Sequence, residues 1–599
     1  MGKVSGVEDI KASSNGLRGH VAEELAGPEA GVTHETEVLL KFHGIYAQDD
    51  RDKRKALKAK RLDVDHMFMV RASVPGGALT GTQWLGLDEV ADEVADGSLR
   101  LTTRQGVQYH FVRKGELRPL IGALNAKLVT TLAACGDVNR NVECCPAPLA
   151  GRGNDVLQRV ARSLAERFRP QSGGYYDVWM DGEHAVTAGA QLQVVAVPGE
   201  QRSGTEQRSS HVTAGAQLQV VSAPEPLYGL TYLPRKFKIG IAHPGDNCID
   251  VYANDFGAIP VEHPQHGPGF TVVVGGGMGA AHAREEDTYA RLAEPLGWVR
   301  EGDLGNVAEA VIAAFRDHGN REDRKRARLK YVIDVHGIDW FRAEVVARLQ
   351  PGAELLNAVD VPAWQAADDH LGWHMQPDGR GFLGVHVDAG RVHDKGDLRI
   401  RTALRLAVQR YGVDLRLTAN QNVLLINVEP RDREGLESLL VEHGVTLAED
   451  LTALRRNAMA CPALPTCGQA LGEAERVLPQ ALAAVAAAFA LAGNDEPDVH
   501  VRMTGCPNGC ARPYNAEIGL VGRGKTTYDV YVGGSALGIR LNRRVAQDVK
   551  LVDITKVLGP IVERHLVEGH EGEGFGDFCA RLKVGEPPRW EVATGLGQV

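Results

Sequence analysis

Leu99-Arg-Leu-Thr-Thr-Arg-Gln-Gly-Val107 returns 316 residues later as Leu415-Arg-Leu-Thr-Ala-Asn-Gln-Asn-Val423. At the same offset Arg140-Asn-Val-Glu-Cys-Cys-Pro-Ala147 meets Arg456-Asn-Ala-Met-Ala-Cys-Pro-Ala463. Two matches in one register identify two diverged copies of one module. A weaker echo, in another register, pairs Val272-Val-Val-Gly-Gly276 with Val530-Tyr-Val-Gly-Gly534. The period-two pattern of Leu-Arg-Leu-Thr predicts a strand, so each copy reads as a strand, a helix and a loop ending at Cys-Pro. The fold class expected is α/β (α+β), built around an internal repeat.

The copies differ in chemistry. The second carries Cys461-Pro-Ala-Leu-Pro-Thr-Cys467 and Cys506-Pro-Asn-Gly-Cys510, four of the chain's nine cysteines in two tight pairs. The first has Cys145 opposite Cys461 but lacks partners for Cys467, Cys506 and Cys510, and carries Arg235-Lys-Phe-Lys238 instead. Disulfides are disfavoured: Met1 to Gly31 is polar, with no apolar signal stretch, and a cytoplasmic chain keeps its thiols reduced. Structural zinc usually takes C-x2-C or C-x4-C knuckles, so C-x5-C and C-x3-C suit it poorly, though it stays open. A [4Fe–4S] cluster fits best, with prolines stiffening the loops and Gly509 permitting close backbone approach.

With 43% hydrophobic and 24% charged residues, the 599-residue chain reads as an ordinary multidomain globular protein. Its net charge of −10 gives no general support for a nucleic-acid partner, and no apolar run is long enough to span a membrane. Ala481 to Ala492 predicts a buried helix, and the first ~34 residues a mobile arm. Val186 to Val195 recurs as Val212 to Val221, read as a tandem duplication that lengthens a surface hairpin and carries no chemistry. The Gly275-Gly-Gly-Met-Gly279 run misses the dinucleotide-binding spacing and reads as a tight turn. Gly319 to Lys330 reads as a solvated, mixed-charge helix face, or as a contact for an acidic electron carrier.

Arg71, Arg100, Arg104, Arg140, Arg235, Lys236 and Lys238 fall beside strand or loop signals. Arg100 with Arg104, and Lys236 with Lys238, have the spacing of residues sharing one strand face. Such clusters suit a polycarboxylate macrocycle or a small oxyanion.

Further motifs stand in order along the chain: Lys41-Phe-His-Gly-Ile-Tyr46, Gln48-Asp-Asp-Arg-Asp52, Pro75-Gly-Gly77, Asn139-Arg-Asn141, Tyr232 to Lys238, Gly319-Asn-Arg321 and Gly574-Phe-Gly-Asp-Phe578. With the cysteine pairs, this ordered set resembles the siroheme-dependent sulfite and nitrite reductases, and among them the haemoprotein (beta) subunits of assimilatory sulfite reductases. The resemblance implies a three-domain fold around a pseudo-twofold axis. It implies Cys461, Cys467, Cys506 and Cys510 as ligands of a [4Fe–4S] cluster, with Cys510 also bridging to the siroheme iron. Arg71, Arg140, Lys236 and Lys238 would line the substrate face, and Arg100, Arg104, Gln108, Arg235 and Asn508 would help hold siroheme.

Five segments are expected: an N-terminal arm and wrapping segment, 1–70; a ferredoxin-like half-domain, 71–145; a siroheme and substrate domain, 146–350, with its inserted loop near 186–221; a second half-domain, 351–425; and the cluster and siroheme domain, 426–599. The implied reaction is six-electron reduction of sulfite to sulfide in sulfur assimilation, in the cytoplasm. Lys238 leans that way, because nitrite enzymes tend to carry Asn there and an extra cation suits a dianion; Ser73, in contrast, stands where sulfite subunits are often basic. Nitrite reduction to ammonia is the alternative, and a non-catalytic iron–sulfur electron carrier is a second of different class. The repeats consume the chain, so electrons are expected from outside, from ferredoxin or a separate NADPH-dependent flavoprotein. Cys135, Cys144, Cys145, Cys248 and Cys579 are expected to be inert buried thiols.

Overall fold

A computed structural model describes residues 4–149, 154–180, 192–194, 220–222 and 224–594 of the chain. The duplication is visible first in two five-stranded antiparallel sheets. In spatial order, one contains Ile45–Asp49, His66–Ala72, Val107–Val112, Leu99–Leu101 and Arg391–Val392. The other contains Gly372–Met375, Gly381–Val385, Val423–Val428, Asp414–Leu417 and Ala78–Leu79. Each sheet is completed by a two-residue strand from the other copy: Arg391–Val392 pairs with Leu99–Leu101, and Ala78–Leu79 pairs with Asp414–Leu417. Each donated strand follows a single 3-10 turn, Pro75–Gly77 or Asp388–Gly390. Gly77 and Gly390 are left-handed there, and a Cβ on either would overlap a carbonyl oxygen of the opposite copy, Leu417 or Leu101.

Two buried glutamines repeat the exchange. Gln105 Nε2 donates to Leu417 O (2.9 Å) and Cys144 O (2.8 Å). Gln421 Nε2 donates to Leu101 O (3.5 Å) and Ala389 O (3.2 Å). Both residues have positive φ.

The other two sheets share one topology. Glu143–Cys144, Ile239–Ile241, Phe256–His263, Gly267–Val274 and Glu294–Arg300 pair parallel, parallel, antiparallel, antiparallel. Ala458–Ala460, Val501–Thr504, Ile518–Gly524, Thr527–Val532 and Arg543–Lys550 pair in the same sequence of senses. The Val272/Val530 echo marks equivalent fourth strands of these sheets. On the first half-domain, Tyr109 OH donates to Leu87 O of helix Gly81–Val94, so its sheet neighbours Gln108 and His110 face the opposite way, toward the cysteine-bearing copy. Alanine-rich helix Leu478–Leu491 buries Ala481, Val485, Ala488 and Phe489, as expected.

Four expectations are corrected. The N-terminal arm is packed: Leu17 and Val21 are in the core, and buried Lys11 pairs with Glu8 (2.6 Å) and donates to Leu233 O (2.9 Å). Polar composition concealed this because the burial is of matched charges. The charge run is neither a continuous helix nor solvated: Arg324 pairs with Asp137 (2.8 Å), Arg328 holds Asp255 with two nitrogens, and Lys330 is buried. Arg104 does not share a strand with Arg100, because the strand ends at Leu101 and a turn follows through left-handed Gln105. Arg100 itself is buried between the copies, so that strand is buried at every residue.

The glycine run is the turn expected, with Gly275 at positive φ. Of the duplicated segment, Leu192–Val194 pairs antiparallel with Val220–Ser222, and the remainder lies outside the described residues. Among the described residues, no helix is long and apolar enough to cross a membrane.

Candidate functional site

The second copy brings its cysteines together from two loops. Cys461 follows strand Ala458–Ala460, and its N–H donates to Met503 O (3.1 Å) of the adjacent strand. Cys506 and Cys510 follow that adjacent strand, Val501–Thr504. Cys461 Sγ accepts from Gly505 N (3.3 Å), and Cys506 Sγ from Asn508 Nδ2 (3.4 Å). None of the four is in a disulfide; Cys461 and Cys506 are buried, Cys467 is half-buried and Cys510 is exposed. Burial, then the Cys510 and Cys506 thiols, push the Cys461 thiol well above its ordinary value. Burial and Cys510 raise Cys467 likewise and push Cys506 up to about 12. Thiols that resist ionisation in one another's presence are the donors a cationic metal centre deprotonates. That donor set fits a [4Fe–4S] cluster, and its fourth thiol, Cys510, is the exposed one.

The first copy leans onto this cradle. Ala280 N donates to Pro507 O (2.9 Å), and a Cβ on Gly509 would press on Met278 O, so the glycine run holds the cysteine loop. Thr103 Oγ1 donates to Cys510 O (2.9 Å). Glu475, whose N–H reaches Cys461 O, binds Arg100 (2.9 Å) and Arg391 (2.7 Å). Although burial opposes it, those two guanidiniums bring the Glu475 carboxyl down to about 2.

Arg71, Gln108, Arg100 and Arg391 form one cross-strand row. With its Oε1 turned to Arg71, Gln108 accepts from Nη2 (2.5 Å) and Nε (3.1 Å). Arg71 also donates to Cys135 Sγ (2.8 Å) and lies over the Tyr46 ring. Arg140 donates to Gly136 O (3.2 Å) and to Tyr46 OH (3.4 Å). Arg100 is committed to protein, its Nη2 serving both Ala389 O and Ala460 O at 2.8 Å. Arg104 binds Glu143, Asn254, Asn141 O and Ile239 O, yet its buried Nε has no partner. Arg235 lies 3.8 Å from Asp137, and burial lowers it to about 10.

Lys236 and Lys238 flank buried Phe237, which faces Phe315 in the core. Among the described residues neither ammonium has a hydrogen bond or a direct ion pair. Burial, then Arg140 and Lys238, lower Lys236 well below the usual lysine value; burial, then Arg104 and Arg328, lower Lys238 to about 7. Partly desolvated cations grouped with Arg140, Arg104 and Arg328, with only Glu143 and Asp255 acting on Lys238 from the other side, suit an anion.

Sequence reasoning passed over Arg328 because it sits in a charge run. It also passed over His110, buried behind the arginine row with both ring nitrogens unpartnered. Ser73 donates to Asn141 Oδ1 (3.0 Å) rather than opening to the site.

Fold and site define a duplicated α/β metalloprotein whose one copy gathers thiols and whose other copy presents cations. The nitrite/sulfite reductase ferredoxin-like half domain matches residues 60–127 and 374–443. The nitrite and sulphite reductase 4Fe-4S domain matches residues 197–351, a stretch holding Lys236, Lys238 and Cys248 but none of the four clustered cysteines. The chain is 38% identical over 588 residues to "Sulfite reductase [NADPH] hemoprotein beta-component" of Staphylococcus saprophyticus, covering 98% of this chain and 97% of that one. It is 41% identical to the protein of the same name from Myxococcus xanthus, covering 96% of each, and 40% identical to "Sulfite reductase [ferredoxin]" of Synechococcus elongatus, covering 97% and 90%. The structure of Mycobacterium tuberculosis NirA protein shares the fold, with a TM-score of 0.74 at 24% identity and 96% coverage of each chain. The chain belongs to the nitrite and sulphite reductase family.

Proposed function

We propose that this chain is the haemoprotein of a sulfite reductase and converts sulfite, six electrons and seven protons into hydrosulfide and three waters. The observation that carries the reading is that the loop bearing Cys506 and Cys510 is held by the other copy, through Ala280 N to Pro507 O and Thr103 Oγ1 to Cys510 O, and that this other copy carries Lys236 and Lys238 beside Arg140, Arg104 and Arg328. Cys461, Cys467, Cys506 and Cys510 are the proposed ligands of a [4Fe–4S] cluster, and Cys510 is the proposed thiolate shared with siroheme. When bound, these groups would supply the one-electron chemistry that the reaction needs.

Everything else falls to side chains. Arg71, fixed by Gln108, and Arg140, fixed by Gly136 O, join Lys236 and Lys238 in holding the oxyanion and polarising its S–O bonds. Burial, then Arg140 and Lys238, hold Lys236 well below its ordinary value, so it would release a proton more readily than an ordinary lysine, as each departing oxygen requires. Arg104 through its unpartnered Nε, with Arg235 and Asn508, would hold siroheme carboxylates. Arg100 and Gln108 would act there chiefly by fixing Glu475 and Arg71.

The donor is proposed to be external. The names of the relatives divide between NADPH and ferredoxin enzymes. Assays with reduced ferredoxin against NADPH plus a flavoprotein decide between them. A cytoplasmic site, where the thiols stay reduced, completes the reading. Steady-state assays of the holoprotein on both anions with a chemical reductant test the main claim: sulfite is expected to have the higher kcat/KM, and a preference for nitrite of about tenfold overturns it.

A further inference from the structure

The first copy was expected to have lost its metal-binding cysteines; the sheet registers say otherwise. Cys144 pairs with Ile241 as Ala460 pairs with Met503. The next residues repeat the likeness, with Cys145 N donating to Ile241 O (3.3 Å) and Cys461 N to Met503 O (3.1 Å). Seven residues beyond Ile241 is Cys248, and seven beyond Met503 is Cys510. Two residues further on, Asp250 and Arg512 are both left-handed and both cap a 3-10 turn. Cys145 and Cys248 therefore occupy the places of Cys461 and Cys510. Pro244 stands at the place of Cys506, so a four-thiol cluster has no ligand there.

Two other side chains join the pair. Donor atoms of Cys145, Asp246, Cys248 and His370 all lie within 4.8 Å of one another. Their exposures are 0%, 5%, 5% and 1%, so the set is closed to solvent. His370 Nε2 lies 3.5 Å from Cys145 Sγ and 3.5 Å from Asp246 Oδ2. Its other nitrogen, Nδ1, has no hydrogen bond and points toward the Asp368 carboxylate at 3.7 Å. A carboxylate behind a ligating imidazole is a common way to orient it. Asp246 is positioned too: its Oδ1 accepts from the N–H groups of Cys248 and Asp368, both at 3.0 Å, which leaves Oδ2 for the cluster.

We propose that Cys145, Asp246, Cys248 and His370 bind one divalent metal ion, zinc by ligand type. Two thiols, an imidazole and a carboxylate buried together are costly without a cation, and their number and mixture suit a closed tetrahedral zinc site. A hard ion such as magnesium would want oxygen ligands throughout. The ion would displace the thiol protons and fasten His370, in the segment leading to the second half-domain, onto the first copy.

The test is elemental analysis of the purified, full-length holoprotein after dialysis against a chelator. About one zinc per chain is expected in addition to iron, falling to about a tenth or less in Cys248→Ser and in His370→Ala, with iron and the haem spectrum unchanged. Background zinc in the parent protein overturns the proposal. So does zinc retained by both variants. Zinc-edge X-ray absorption on the parent needs no variant: a mixed shell of sulfur at about 2.3 Å and nitrogen or oxygen at about 2.0–2.1 Å is expected. A shell without sulfur overturns the assignment.

Discussion

Cys145 and Cys461 hold equivalent places in the two copies, each following the edge strand of a sheet with the same order and senses. Around Cys461 the loops supply three more cysteines and the set opens toward the other copy through exposed Cys510. Around Cys145 they supply a cysteine, an aspartate and a histidine, sealed from solvent. The lysines follow the reverse rule, since Lys236 and Lys238 sit on the first copy and face outward from Phe237. The copies also meet along their axis: Arg512 binds Asp250, its own equivalent. Duplication supplied a symmetric frame, and on the proposed function divergence put electron chemistry on one side and anion chemistry on the other.

The largest break in this comparison comes from the cysteines themselves. Cys461→Ser should lose cluster iron and on the order of a thousandfold or more in sulfite reduction, whereas Cys145→Ser should keep both within about twofold. Equal iron loss in the two variants would erase the asymmetry. A smaller effect is expected on specificity. Lys238→Asn removes a cationic side chain from the site proposed to hold a dianion and should shift the sulfite-to-nitrite ratio of kcat/KM toward nitrite by about tenfold.

Next comes acid stability. Glu475 titrates near pH 2 in the folded chain against an ordinary value of 4.5, because Arg100 and Arg391 outweigh its burial. A depressed carboxyl contributes stability that is present above about pH 4.5 and lost as pH falls toward 2, on the order of 3 kcal/mol. Glu475→Gln should flatten the unfolding-versus-pH curve in that window, and an unchanged slope would remove Glu475 as the tie between copies. The smallest effects test the frame. Gln105→Ala and Gln421→Ala should each cost about 1–3 kcal/mol in denaturant unfolding, and to a similar degree. A gap well beyond that range would mean the reciprocal bonds are not equivalent.

Much of this was legible before any coordinates. The cysteine quartet is recognised by spacing within short loops, and the repeat by two matches in one register. Cys248 escaped because the first copy is longer between its Cys-Pro loop and its next sheet strand, Ile239–Ile241, so the offset falls from 316 to 262 and a fixed-register search passes it. Arg328 and the N-terminal residues escaped for a common reason. Charged residues read as solvated, and only tertiary pairing with Asp255 or Glu8 reveals that they are inside. The exchanged strands Ala78–Leu79 and Arg391–Val392 are two residues each, too short to carry a period.

The central claim is the division of labour between thiols and cations. The double variant Lys236→Ala/Lys238→Ala, purified with its iron and siroheme content measured, tests it most directly. The account predicts full cofactor content and a loss of about a hundredfold or more in kcat/KM for sulfite with a chemical reductant. Activity within about threefold of the parent, at full cofactor content, would contradict it.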